Sequence, residues 1–358
     1  MTHAASKQVE TIVPFTSGDG LSLNLINIKN PQNISKGAVI VVHGAGVRAN
    51  IFRAPVEQTI VDALIEQGYD VWLENWRASI DFSPNLWTLD QAAIHDHPYA
   101  VKKILEITGG TRLKAVIHCQ GSTSFMMSLM AGLLPQVTTV VSNAVSLHPV
   151  VPRWSKFKLY FMLPLVKLIT DYLNPQWGIN APTLPAKIIN GMVMMTHHEC
   201  DNPVCKQVSF TYGSGFPALW SHANLNEQTH QWLSQEFAAV PLRFFAQITQ
   251  SIRHGNLLSV EGHSTLPQDF TQISPKTSAR IAFCAGQDNL CFLAESQTRS
   301  YEYFSALKPN FHTLKIFPKY GHLDVFMGQH AYRDTFPFII DELNKGNPDY
   351  LENYSERL

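Results

Sequence analysis

The sequence predicts an α/β protein built on a doubly wound, mostly parallel sheet. Three observations carry that expectation. Ala38-Val39-Ile40-Val41-Val42 is a continuous apolar run of the kind buried on both faces of a parallel sheet. Strand-like and helix-like stretches alternate through residues 1–145, the signature of βαβ winding. Finally, the β-branched run ending in Ile117-His118 breaks at Cys119-Gln120-Gly121 and passes directly into a helical pattern. That strand–turn–helix layout lifts a nucleophile above the sheet.

Element by element, Glu10 to Val13 and Leu21 to Ile28 read as strands joined by the turn Ser17-Gly18-Asp19-Gly20. Ala38 to His43 is the third strand, residues 52–67 a helix, and Gly68 to Leu73 leads into a fourth strand. Leu89 to Ile107 is helical and closes on Gly109-Gly110 before the strand that ends at Cys119. Ser122 to Leu134 reads as a buried helix and Val137 to Val141 as the sixth strand. From Ala144 to about Pro275 the rhythm stops and the chain becomes rich in Pro, Trp, Phe and His. Arg280 to Ala285 and Thr313 to Phe317 resume the sheet. The expected organisation is a core in two parts, 1–145 and 276–345, a cap or lid at 146–275 after the sixth strand, and a polar tail at 346–358.

Composition removes several function classes. Lys plus Arg number 27 against 28 Asp plus Glu, so no basic field attracts nucleic acid. Charged residues are only 15% of the chain, against about 25% in average soluble domains, which suits a greasy substrate. Gln120 to Pro152 lacks any charged residue, but Gly132, Pro135, Asn143 and Pro149 interrupt it, so a transmembrane segment is not expected. The apolar core of a signal peptide is missing from Met1 to Gln8, and five Cys at irregular spacing do not make a secreted disulfide scaffold. A reducing cytoplasm is the expected setting.

Cys119 is the candidate nucleophile, because a helix starting there aims N–H groups and a positive dipole end at the sulfur. His322 follows the last strand and is the candidate base, since nucleophile, acid, His is the chain order of such triads. Asp288, directly after the Arg280 strand, is the expected orienting acid, preferred over Asp324, which lies only two residues from His322. The N–H groups of Gln120 and of Ala45, in His43-Gly44-Ala45-Gly46, are expected to form the oxyanion hole. His43 itself reads as packing. Trp154, Phe157, Tyr160 and Phe161 are expected to line the acyl site from the inner face of the cap, although an aromatic and lysine mixture also suits transient membrane-surface contact. His197-His198-Glu199-Cys200 and Cys205 lack a second ligand pair at finger-like spacing, so no metal and no cofactor are expected.

With His43-Gly44, Gly68-Tyr69-Asp70-Val71-Trp72-Leu73-Glu74-Asn75, Cys119-Gln120-Gly121-Ser122 and Gly321-His322-Leu323-Asp324 in order, the chain resembles the acid-lipase (gastric and lysosomal) branch of the α/β-hydrolase superfamily. The resemblance implies an α/β-hydrolase fold and a triad of Cys119, Asp288 and His322. Two positions depart from it: Ile117 stands where the family carries Gly, and the nucleophile is Cys, as in the similar polyhydroxyalkanoate synthases. The expectation is a hydrolase that cleaves the ester or thioester of an apolar acyl substrate through an acyl-thioester. Acyl transfer to a hydroxyl acceptor and a catalytically inactive lipid- or partner-binding fold are the alternatives. A Cys119→Ser form is expected to keep partial activity if the site descends from a Ser enzyme. Oligomeric state is not legible.

Overall fold

The computed structural model describes residues 8–345; the polar tail expected at 346–358 lies outside them. Six strands come first: β1 (Val9–Thr16), β2 (Ser22–Lys29), β3 (Ala38–Val42), β4 (Asp70–Asn75), β5 (Leu113–His118) and β6 (Val137–Asn143). A two-stranded ribbon, β7 (Tyr172–Leu173) and β8 (Val240–Pro241), lies in the segment after β6, and β9 (Arg280–Gly286) and β10 (Thr313–Phe317) complete the list. The central sheet has eight strands in the order β1-β2-β4-β3-β5-β6-β9-β10. Pairing is antiparallel for β1–β2 and β2–β4 and parallel from β4 through β10. β3, β4 and β5 are buried at every residue, as strands covered on both faces must be. This is the α/β-hydrolase fold.

Helix boundaries follow local chemistry. The helix Ile60–Glu66 begins where Thr59 and Asp62 close a capping box, later than the expected residue 52. Ahead of it the chain makes only a 3-10 turn at Ala49–Phe52, and Pro55 keeps Ala54 from joining a continuous helix. The expected helix from Leu89 to Ile107 runs through a π-turn at Ala92–Asp96 into His97–Thr108 and stops at Gly109, whose φ of 67° needs a residue without Cβ. The helix that follows β5 is Cys119–Met130, every residue of which is buried.

A fully buried trio ties that helix to the sheet. His97 Nδ1 lies 3.0 Å from both Glu74 carboxylate oxygens and His97 Nε2 lies 2.7 Å from Ser124 Oγ. Burial pushes the Glu74 carboxyl up, and the facing His97 opposes this. The trio has the composition of a hydrolytic triad but is sealed in the core, where a satisfied polar network specifies packing.

Between β6 and β9 the chain forms a mainly helical insertion, including Leu184–Thr196, Pro203–Tyr212 and Leu242–His254. A backbone strap at 219–224 returns to the core: Leu219 O accepts the His322 and Leu323 N–H groups at 3.0 and 2.8 Å. Asp324 Oδ2 accepts from Ser221 N–H (3.2 Å) and Asn224 Nδ2 (2.6 Å).

Candidate active site

Cys119 has φ of 57°, the left-handed region that a side-chain-bearing residue enters at a cost of about 1–3 kcal/mol. Close packing enforces the turn. A Cβ on Gly121 would sit 2.0 Å from His43 O, and one on Gly44 would sit 2.8 Å from Cys119 Cβ. β5 therefore runs into the helix through two glycine contacts, leaving the sulfur at the helix N-terminus. Ile117 is accommodated fully buried in β5.

Two imidazoles flank the sulfur. One ring nitrogen of His118 and one of His322 lie within 4.8 Å of Cys119 Sγ and of each other, and the two ring centroids are 4.7 Å apart. His118 Nδ1 accepts from Asn143 Nδ2 at 2.8 Å, and burial drives its pKa well below the ordinary histidine value. His322 Nε2 is buried and has no hydrogen-bond partner.

The partner of His322 Nδ1 corrects the expected acid. Asp288 is exposed, its N–H tied to Tyr320 O at 2.8 Å, and its side chain does not reach the imidazole. Asn289, one residue on, is buried with Nδ2 at 2.9 Å from His322 Nδ1. The amide is oriented unambiguously: Asn289 Oδ1 accepts the Cys291 N–H at 3.0 Å in an Asx-turn, which leaves only the amino group for the imidazole. His322 Nδ1 must then be an acceptor, and the ring proton belongs on Nε2. Asp324, the other candidate, is engaged by the strap.

Cys291 and Tyr212 complete the surroundings. Both line the same small niche as Ala45, Cys119 and His322. The Tyr212 hydroxyl is buried without a partner and packs where a Cβ on Gly46 would come within 2.0 Å of it. The Cys291 thiol hydrogen-bonds the Cys119 sulfur and lowers its pKa; burial opposes this, and His322 and the Gln120 N–H add to the lowering. That bond raises the Cys291 pKa, as does burial. Of the pair, Cys119 therefore loses its proton first.

A reactivity profile checks this. Because the Cys119 pKa is depressed, its thiolate persists to lower pH than that of an ordinary thiol and is lost on further acidification. Iodoacetamide should label Cys119 with a rate midpoint well below that of an ordinary thiol, and leave Cys291 unlabelled. Cys291→Ala should move the midpoint toward the ordinary thiol value. An unchanged midpoint in that variant would remove Cys291 from the activation of Cys119.

Comparison with known proteins now has a geometry to meet. No family model matches the chain. A probable lipase of Schizosaccharomyces pombe is 33% identical, with 97% of this chain and 77% of the relative covered. The chain belongs to the lipase family of α/β-hydrolases. Human lipase member K is 24% identical over 94% of this chain and 87% of its own length. Among solved structures, an esterase of Thermogutta terrifontis superposes with a TM-score of 0.58 at 13% identity, covering 94% of this chain and 99% of its own. A monoglyceride lipase of Saccharomyces cerevisiae gives 0.57 at 13%, covering 94% and 97%. These two likenesses support the fold alone.

An apolar cavity opens from the Cys119 sulfur into the insertion, about 850 Å³ of space in part open to solvent. Leu159, Leu163, Val166, Leu242, Phe245 and Ile248 form much of its wall. The expected wall is on the wrong face. Trp154, Phe157 and Phe161 are 61%, 41% and 63% exposed and stack on one another at 4.8 and 5.4 Å along the outside. Tyr160 lies under the Arg253 guanidinium, 4.8 Å from its centroid. The helical run is apolar on both sides because one side faces the cavity and the other faces out.

The cavity sets a second expectation. For acyl chains of increasing length kcat/KM should rise, by up to about 0.8 kcal/mol per buried methylene, until the space is filled. Leu159 also borders a more open surface pocket, so Leu159→Trp narrows the outer end. It should depress long-chain substrates selectively and spare acetyl esters. Equal losses at every chain length would place the acyl chain elsewhere.

Asn289, Cys291, His118 and Tyr212 escaped the sequence reading. His118 was signalled only by adjacency to Cys119. Tyr212 has no local motif, and Asn289 is separated from the expected acid by a single turn position.

Proposed function

We propose that this hydrolase cleaves apolar acyl thioesters, and activated esters, through an acyl-thioester on Cys119. The observation that carries the reading is the Cys119 sulfur at the elbow, opening onto the apolar cavity, with His322 Nε2 beside it and Asn289 holding Nδ1 as an acceptor. Cys119 thiolate adds to the acyl carbon, and the tetrahedral oxyanion is received by the N–H groups of Gln120 and Ala45. The Tyr212 hydroxyl is a third donor aimed at the same niche. Collapse expels the leaving group and leaves the acyl-thioester, which water then cleaves to free acid and thiol.

Leaving-group chemistry decides the preferred substrate. For His322 to protonate a departing alkoxide it must first be an imidazolium, which needs an acceptor for the proton on Nδ1. Asn289 presents a donor there, not an acceptor. A thiolate departs without assistance, its conjugate acid having a pKa of about 8.5. An alkoxide, whose alcohol is about as weak an acid as water, does not. Thioesters fit this site better than plain oxyesters of the same acyl length. Attack of water on the acyl-enzyme also needs a base, so deacylation is the slow step.

Exposed Trp154, Phe157, Phe161, Leu165 and Leu168 support transient contact of the insertion with a lipid surface, from which an apolar acyl chain is drawn. Among the described residues no helix is long and apolar enough to cross a membrane.

Intact-mass spectrometry after mixing with a medium-chain acyl thioester tests the proposal. The expected result is a one-acyl adduct that maps to Cys119 and decays slowly to free acid. Neither adduct nor turnover would overturn it in favour of a binding fold, and acyl recovered on an added alcohol rather than as acid would make the chain a transferase.

A further inference from the structure

The insertion brings together four side chains whose sequence spacing shows no pairing. Cys200 lies in the turn ahead of the helix Pro203–Tyr212, Cys205 in its first turns, His222 in the 219–224 strap and His230 in the helix Glu227–Trp232. Their ligand atoms, two sulfurs and two imidazole nitrogens, all lie within 4.8 Å of one another. Cys205 Sγ is 3.5 Å from His222 Nε2, and the two imidazoles meet edge to face with centroids 4.8 Å apart. His230 Nε2 is buried and has no hydrogen-bond partner.

We propose that Cys200, Cys205, His222 and His230 form a structural tetrahedral site for a divalent zinc ion. Two thiolates and two neutral imidazoles are the soft and borderline donors that zinc selects. With zinc bonds of about 2.3 Å to sulfur and about 2.0–2.1 Å to nitrogen, the sulfur–nitrogen edge of a tetrahedron is about 3.5 Å. That equals the Cys205–His222 separation, so one pair already stands at ligand spacing. Four protein donors leave no open position, which makes the site structural and not catalytic.

The surroundings independently favour a cation. Both Glu199 carboxylate oxygens are buried and unpartnered. A buried carboxylate without a hydrogen-bond partner is expensive unless a positive charge is close. The buried Trp220 indole N–H, also without a partner, lies beside Cys205, a suitable donor to a zinc-bound thiolate. Asn202 fixes the framework: Oδ1 accepts the Val204 and Cys205 N–H groups, while Nδ2 donates to His230 O at 3.1 Å and Ser234 Oγ at 2.9 Å. One side chain thus holds the Cys half and the His half together. His197 and His198, the histidines adjacent to Cys200 in sequence, are not in the cluster.

The location gives the ion a purpose. His222 follows Ser221, whose N–H holds Asp324, and lies three residues after Leu219, whose carbonyl holds the His322 N–H. A metal on His222 would pin the strap that positions the catalytic-site histidine loop, coupling integrity of the insertion to the reactive centre.

The test is cobalt titration of the reduced, chelator-treated full chain. One equivalent should give thiolate-to-cobalt charge transfer in the near ultraviolet and the visible bands of tetrahedral cobalt. Zinc should displace cobalt and raise the Tm by several degrees. Cys200→Ser and His230→Ala should each lose both signatures, whereas His198→Ala keeps them. Circular dichroism of the variants separates lost ligation from lost folding, and because Cys200 is only half-buried its Ser variant should fold. A spectroscopically silent titration with no change in Tm would overturn the proposal. So would a Cys200–Cys205 disulfide in the mass spectrum of protein purified without reductant, or retention of the cobalt bands in His230→Ala.

Discussion

Cys119→Ala is expected to lower kcat by at least about 10⁴-fold on every acyl substrate while leaving the Tm unchanged. The sulfur occupies the one position where the helix N-terminus, the Gln120 amide and the His322 ring converge. Alanine tolerates the φ of 57° as well as cysteine does, since both carry one unbranched Cβ. Loss of activity without loss of fold is therefore the prediction, read from steady-state rates beside a melting curve. Activity retained within about tenfold of the unmodified enzyme would remove Cys119 from the chemistry, because deletion of a covalent nucleophile is among the most damaging changes an active site can suffer.

The second large effect involves a pair of positions. Sequence reasoning alone expects Cys119→Ser to keep partial activity if the site descends from a Ser enzyme, because the elbow and oxyanion hole would then accept either nucleophile. The orientation of Asn289 reverses that expectation. A serine hydroxyl must lose its proton to His322, which would then carry protons on both nitrogens, with Nδ1–H facing the Asn289 amino group. Cys119→Ser should be inactive, at least about 10³-fold below the parent. Adding Asn289→Asp replaces that amino group with a carboxylate oxygen able to accept Nδ1–H, so the double variant should recover about 10-fold or more over Cys119→Ser alone. Asp288→Asn, by contrast, should change kcat by less than about twofold, as its side chain is exposed. A Cys119→Ser enzyme that hydrolyses oxyesters efficiently on its own would show that the amide turns freely and that the thioester preference is misassigned.

Legibility tracked how local the physics is. Strands β3 and β5 were readable because burial on both faces leaves a continuous apolar run, and the elbow because its turn demands Gly121 beside the nucleophile. His322 was readable from its place after the last strand. What failed depends on one residue of turn geometry or on the far side of an element. After β9 the backbone hydrogen bond from Asp288 to Tyr320 and the Asx-turn of Asn289 decide which side chain turns inward, and no motif encodes that choice. From Trp154 to Met162 the aromatics expected on the inner wall face outward, and it is Ser155, Leu159 and Met162 that meet the cavity. The Cys200, Cys205, His222 and His230 cluster is assembled by tertiary folding across two helices and a strap, so its ligands appear unrelated along the chain.

The uneven fastening of the insertion dictates how a bulky substrate gets in. At the His322 border the two layers are riveted: Leu219 O takes two amides, Gln329 N–H reaches Asn224 O at 2.7 Å, and Asn224 Nδ2 reaches Lys319 O at 2.7 Å. At the opposite border Lys158 Nζ bonds Phe210 O and Gly213 O, and Ser155 Oγ meets Ser214 Oγ, all within the insertion itself. The helical run carrying Leu159 and Leu163 is thus held through the insertion, whereas the helix Leu242–His254 is tied to the core by Gln247, which accepts the Leu89 N–H at 2.8 Å and donates to Asp90 Oδ1 at 2.6 Å. A chain entering the cavity would therefore disturb the helical run carrying Leu159 and Leu163 before the strap at His322, so the groups around Cys119 would keep their alignment.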